Sequence, residues 1–93
     1  MKVQFFAYYR DPEYAGCKEV QIPAVETLRD LGFWIEETYG RKFAGEYFNE
    51  DKTDFGKLVI VMVNGRRAQF LNGFETELKD SDTVLIFPVV AGG

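Results

Sequence analysis

An α+β domain, a mixed sheet of about five strands crossed by one main helix, is what this sequence predicts, and three features predict it. Two segments far apart in the chain, Lys2 to Tyr9 and Thr83 to Val90, are apolar at nearly every position. Between them runs one stretch whose apolar residues recur at helical spacing. Asn64 and Gly65 separate two further strand-like segments by the pair of residues that a tight hairpin prefers.

The first segment carries Val3, Phe5, Phe6, Ala7 and Tyr8, the pattern of a central strand with both faces at least partly covered. Asp11, Pro12 and Gly16 turn the chain, and Lys18 to Ile22 alternates polar and apolar as an outer strand does. Val25, Leu28, Leu31, Ile35 and Tyr39 then share one face of a helix that Pro23 precedes, Glu26 opens, and Gly40, Arg41 and Lys42 close. Gly32 lies inside that apolar stripe, where a missing side chain lets the helix approach the sheet. Trp34 borders the stripe and Phe33 lies off it. Residues 41–57 mix aromatics with Gly, Asn and Asp without a sustained period, which reads as a long loop with room for one helical turn, tacked down by Phe43, Tyr47, Phe48 and Phe55. Leu58 to Val63 is a second continuous apolar strand, Arg66 to Leu71 its short return, and Asn72–Gly73 a further turn. After the polar stretch from Leu78 to Asp82 comes the last strand, interrupted by Pro88.

Because continuous apolar strands belong in the middle of a sheet, the first and last strands are expected side by side. They would run parallel, with a right-handed connection that contains the helix. That arrangement is a β-grasp, the ubiquitin architecture. The chain of 93 residues is expected to form this one domain over 1–93, with a flexible tail at 88–93.

Composition excludes several function classes. A net charge of −4 argues against nucleic acid and anionic membrane as partners, since both select clustered Lys and Arg, and Arg66–Arg67 is too short a run to reverse the balance. The chain has no histidine, the commonest general base and metal ligand, and no phosphate-binding glycine loop. No metal or cofactor is therefore expected on it. With one cysteine, Cys17, and no apolar run near the roughly 20 residues of a membrane span, a cytoplasmic protein is expected. Cys17 lacks a neighbouring His and reads as incidental.

The closing residues are the remaining candidate site. Pro88, Val89, Val90, Ala91, Gly92 and Gly93 form an apolar stem ending in two residues without a Cβ, which lets a partner close a narrow channel around the backbone and reach a carboxylate on Gly93. Pro88 lacks an N–H and would keep the tail from continuing the ladder.

The opening Val3-Gln4-Phe5-Phe6-Ala7 with Arg10, the helix around Val25 to Leu31, Val63-Asn64-Gly65, Leu78-Lys79-Asp80-Ser81-Asp82 and the ending Phe87-Pro88-Val89-Val90-Ala91-Gly92-Gly93 together resemble the small subunit of molybdopterin synthase. The wider group of ubiquitin-like sulfur carriers, including the thiazole-pathway carrier, is similar over most of the chain. The departures are Ser81 for a usual Gly, Val89 for a usual second Pro, and a 41–57 segment longer than thiazole carriers have. The resemblance implies that Gly93 is adenylated by a ubiquitin-activating-like enzyme holding ATP and Mg, converted to a thiocarboxylate, and delivered to a molybdopterin synthase large subunit for sulfur donation. It places Gly92 and Gly93 at the chemistry, and Phe6, Phe87, Pro88, Val89, Val90 and Ala91 against partners. For Phe6 and Phe87 a core role remains equally open, and a third apolar interface position of the family corresponds to Arg67. Thiamine synthesis, tRNA thiolation and protein modification would use the same end, while an interaction domain with an inert tail would not.

Overall fold

A computed structural model describes residues 1–89. Five strands form one mixed sheet: β1 (Lys2–Phe5), β2 (Glu19–Gln21), β3 (Val59–Val63), β4 (Arg66–Arg67) and β5 (Thr83–Pro88), in the order β2-β1-β5-β3-β4. As expected of the two continuous apolar ends, β1 and β5 pair in parallel at the centre, with Val3 opposite Val84 and Phe5 opposite Ile86. β3 runs antiparallel along the other side of β5, placing Val59 opposite Pro88 and Val63 opposite Val84. The Asn64–Gly65 turn has positive φ at both residues (52° and 82°), the conformation for which Asn-Gly is suited.

Two helices pack on one face. Helix α1 (Leu28–Tyr39) buries Leu28, Leu31, Gly32 and Ile35, and Phe33 stays exposed as its position off the stripe requires. It starts at Leu28 and not at Val25. The Thr27 hydroxyl accepts from the Asp30 N–H, and an Asp30 carboxylate oxygen accepts from the Thr27 N–H, so a capping box fixes the first turn. The residues just before it are bound elsewhere: the Leu78 N–H donates to the Glu26 carbonyl and the Leu28 N–H to the Thr76 carbonyl.

The segment 41–57, expected as a loop with at most one helical turn, contains a second helix of seven residues, α2 (Arg41–Tyr47), separated from α1 by Gly40 at φ 98°. Arg41 and Lys42 therefore open α2 and do not close α1. Lys42 pairs with Glu13 at 2.8 Å and lies over the Tyr14 ring. Phe43, Ala44, Tyr47 and Phe48 are core residues, not tacking points: Phe43 stacks on Tyr9 with centroids 4.7 Å apart and meets the Phe5 edge at 5.6 Å. Tyr47 satisfies its buried hydroxyl by donating to the Leu28 carbonyl at 2.6 Å. Gly32 serves this helix pair and not an approach to the sheet, because a Cβ there would fall 2.4 Å from the Phe48 ring and 2.7 Å from the Tyr47 ring.

The strand ends also differ from expectation. β1 stops at Phe5, since Ala7 at φ 51° turns the chain into a 3-10 turn over Ala7–Arg10. β4 holds only two residues before 3-10 turns over Ala68–Phe70 and Gly73–Glu75. Pro88 remains inside β5, and the Val89 N–H donates to the Leu58 carbonyl at 2.7 Å, so the ladder runs one rung past the proline.

Candidate functional site

Side chains alternate across a strand, so each strand that buries one set of residues presents the other on the opposite face. β3 buries Val59, Val61 and Val63, and β5 buries Val84, Ile86 and Pro88 beneath the helices. The other face then carries Ile60 and Met62 from β3 and Leu85 and Phe87 from β5, all only partly buried. Register makes them neighbours, with Phe87 opposite Ile60 and Leu85 opposite Met62. Phe6 joins them edge-on to Phe87 at 5.8 Å between centroids. At the end of β5 the patch continues into Leu58 and Val89, which are 50% and 43% exposed. An apolar face thus converges on Val89, the last residue described.

Phe6 owes its position to the break in β1. Its N–H donates to the Ile86 carbonyl, while its carbonyl accepts from the Tyr9 N–H inside the 3-10 turn. The next β5 donor toward β1 would be residue 88, a proline without an N–H, so the parallel ladder ends where β1 turns away. The turn returns Arg10 over Phe6, its guanidinium carbon 5.1 Å from the ring centroid and its Nε donating to the Phe5 carbonyl at 2.6 Å. On the opposite border Arg67 lies across from Met62 and is exposed.

Of the sequence-predicted residues, Phe6, Phe87 and Val89 meet on this open face, whereas Pro88 points to the core side. Val90, Ala91, Gly92 and Gly93 lie outside the described residues. Sequence reading missed Leu58, Ile60, Met62 and Leu85, because uniformly apolar strands carry no alternation to divide covered from open faces. The available signal was an excess: more apolar positions than one helical layer on one face can cover.

Below the open face, a single carboxylate fixes the hairpin that follows β1. Glu46 on α2 accepts from the Tyr8 and Tyr9 hydroxyls at 2.8 and 3.1 Å and from the Tyr14 hydroxyl at 2.6 Å. Burial pushes the Tyr8 and Tyr9 phenols up, helped by the Glu46 charge, and for Tyr14 the hydrogen bond to Glu46 is the main cause. Among the described residues no three His, Cys, Asp or Glu side chains converge as metal ligands, and no helix is long and apolar enough to cross a membrane.

The ThiS family model matches residues 3–93. The chain belongs to the ThiS family. This ThiS-family protein is 33% identical to small archaeal modifier protein 3 of Haloferax volcanii, an alignment covering 100% of this chain and 98% of that one. The solution structure of small archaeal modifier protein 1 from Methanosarcina acetivorans superposes with a TM-score of 0.79 at 29% identity, over 99% of this chain and 94% of that one. A Pyrococcus furiosus protein provisionally assigned as molybdopterin converting factor subunit 1 superposes with a TM-score of 0.66 at 34% identity, over 96% and 95%. The ubiquitin-like β-grasp and the kinship with ubiquitin-like sulfur carriers and modifiers, both expected from sequence, are therefore established.

Proposed function

We propose that this protein is a sulfur carrier for molybdopterin-type cofactor assembly, with Gly93 as its reacting end. The observation that carries the reading is the apolar open face that converges on Val89, four residues before Gly93, in a ThiS-family chain. A carboxylate is a poor electrophile because its charge is delocalised. A ubiquitin-activating-like enzyme supplies ATP and Mg, and the Gly93 carboxylate attacks the α-phosphorus with loss of pyrophosphate. Hydrosulfide then attacks the acyl carbon, AMP leaves, and a thiocarboxylate remains. The synthase large subunit receives that tail, the thiocarboxylate sulfur bonds to the pterin precursor, and water cleaves the resulting acyl–sulfur bond, which leaves the sulfur on the precursor and returns the carboxylate. This chain contributes recognition and reach, and its partners contribute the acid and base groups.

Phe6, Phe87 and Val89 form the docking patch, with Val90, Ala91 and Gly92 as the stem threaded into the partner's channel. Likeness to a small archaeal modifier protein favours a second reading, in which a lysine amine of another protein attacks the same activated Gly93 and forms an isopeptide bond. Both readings require activation. ATP–pyrophosphate exchange by the adenylating enzyme should depend on this chain and vanish when Gly92 and Gly93 are deleted. Exchange by the truncated chain at the full-length rate would reject both. Isopeptide-linked Gly-Gly remnants in the host proteome, without sulfur transfer to a pterin precursor, would select the modifier.

A further inference from the structure

The open face is laid out symmetrically about its middle strand. The sheet order β2-β1-β5-β3-β4 puts β5 at the centre, with two strands on each side. One unbroken cross-strand row runs over it, because the registers pair Glu19 with Gln4, Gln4 with Leu85, Leu85 with Met62, and Met62 with Arg67. Residues directly opposite each other share a face, so the whole row lies on the side away from the helices. It is acidic at its β2 end, apolar at Leu85 and Met62, and basic at its β4 end. The next row, toward Val89, is Phe6, Phe87 and Ile60, with Phe87 again on the middle strand.

Such a surface is its own complement. When a second copy is turned about a two-fold axis lying along β5 in the plane of contact, β5 meets β5, β1 meets β3, and β2 meets β4. A two-fold axis permits no slip along the strands, so each row faces the same row of the second copy. Glu19 then faces Arg67, Gln4 faces Met62, Phe6 faces Ile60, and Leu85 and Phe87 each face their own counterparts at the axis. An axis across the strands would instead stack β2 on β2 and β4 on β4, and bring like charges together. Within one copy, Gln4 Nε2 donates to Glu19 at 3.2 Å and Lys2 lies 3.9 Å from it, while Arg67 is in none of the ion pairs among the described residues. The arginine is thus open to a carboxylate from outside its own chain, and its planar fork suits one.

We propose that the open face is a self-association surface, on which two copies of this chain pack sheet to sheet as a weak two-fold dimer held at both ends by Glu19–Arg67 pairs. Face-to-face sheets lie about 10 Å apart with their strands about 30° from alignment, so contact is closest over β5. The long Glu19 and Arg67 side chains span the gap that twist opens at the edges. The face measures roughly 20 by 20 Å, about 400 Å² per copy against the roughly 800 Å² of a standard interface, which places the dimer in the transient class. The net charge of −4 on each copy also works against a tight complex. The dimer buries Phe6 and Phe87, so it competes with any partner that docks on them, and dilution uncovers the patch. This inference stands apart from the sulfur-carrier reading, which needs only the monomer.

The test is analytical ultracentrifugation of the full chain from roughly 10 µM to 1 mM at about 0.15 M salt, with the wild type, E19R, R67E and E19R/R67E. The wild type should pass from monomer toward dimer across that range. Each single reversal sets like charges face to face at both ends of the contact and should weaken dimerisation at least about tenfold. The double reversal restores opposite charges and should return the dimer to within about threefold of wild type. Recovery of this kind cannot arise inside one copy, because β2 and β4 lie at opposite edges of the sheet. Thermal unfolding checks that each variant keeps its fold. Should one fail to fold, amide chemical shifts of the wild type on dilution serve instead, and the changes should centre on Leu85 and Phe87 and spare α1 and α2. A monomer at every concentration, a double reversal no better than the singles, or dilution shifts confined to the helices would overturn the dimer and leave the carrier reading standing.

Discussion

Glu46 is one carboxylate holding three phenols, and through them it ties α2 to the hairpin after β1. Replacing it with alanine leaves Tyr9, fully buried, without its acceptor, and should destabilise the fold by about 2 kcal/mol, read from urea unfolding. The tyrosines also set a pH dependence. All five phenols are pushed up in the fold, Tyr39 to about 12 by burial and then by Cys17, and Tyr47 by burial. A raised phenol pKa favours the neutral form in the folded state, so this contribution is complete below the unfolded value near 10 and is lost as pH rises beyond it. Stability should therefore show no loss from these groups between about pH 7 and 9 and fall above about pH 10, with phenolate absorbance appearing together with unfolding. Phenolate absorbance complete near pH 10 in the folded protein would contradict the packing described.

At the scale of elements, α1 depends on its capping box. Thr27→Ala removes the acceptor for the Asp30 N–H and should cost about 1 kcal/mol, or roughly 4 to 8 °C in Tm for a domain of this size. Gly32→Ala should cost more, about 1 to 3 kcal/mol, because the new methyl meets the Tyr47 and Phe48 rings. Both elements bear on what was legible beforehand. The central parallel pair, the Asn64–Gly65 hairpin and the exposed Phe33 followed from apolar runs and periodicity, which act locally. The start of α1 did not, because residues 26–28 are claimed by residues 76–78, a tertiary contact without local signature. Helix α2 was hidden for a similar reason: Gly45 interrupts its short pattern, and burial of Phe43 and Tyr47 stabilises it. The open face was legible only as surplus hydrophobicity, and Arg10 reaches Phe6 through a turn that begins at a non-glycine residue with positive φ.

At the scale of the molecule, one sheet separates a helix-covered core face from an open apolar face, to which the proposed function assigns recognition. Its helix-covered face holds Phe5, and its open face holds Phe6 one residue on. Phe5→Ala should cost about 3 to 5 kcal/mol, whereas Phe6→Ala should cost well under half of that and chiefly raise KM for activation. Equal stability losses in urea unfolding would place Phe6 in the core instead. On the proposed reading the tail residues complete this division of labour, with Gly93 carrying the carboxylate that others would activate. Intact-mass measurement after incubation with the adenylating enzyme, MgATP and a sulfur donor tests that most directly. The account predicts a species about 16 Da heavier, oxygen exchanged for sulfur at Gly93, that is absent when Gly92 and Gly93 are deleted. An unchanged mass under conditions where the enzyme thiolates another ThiS-family carrier would contradict it.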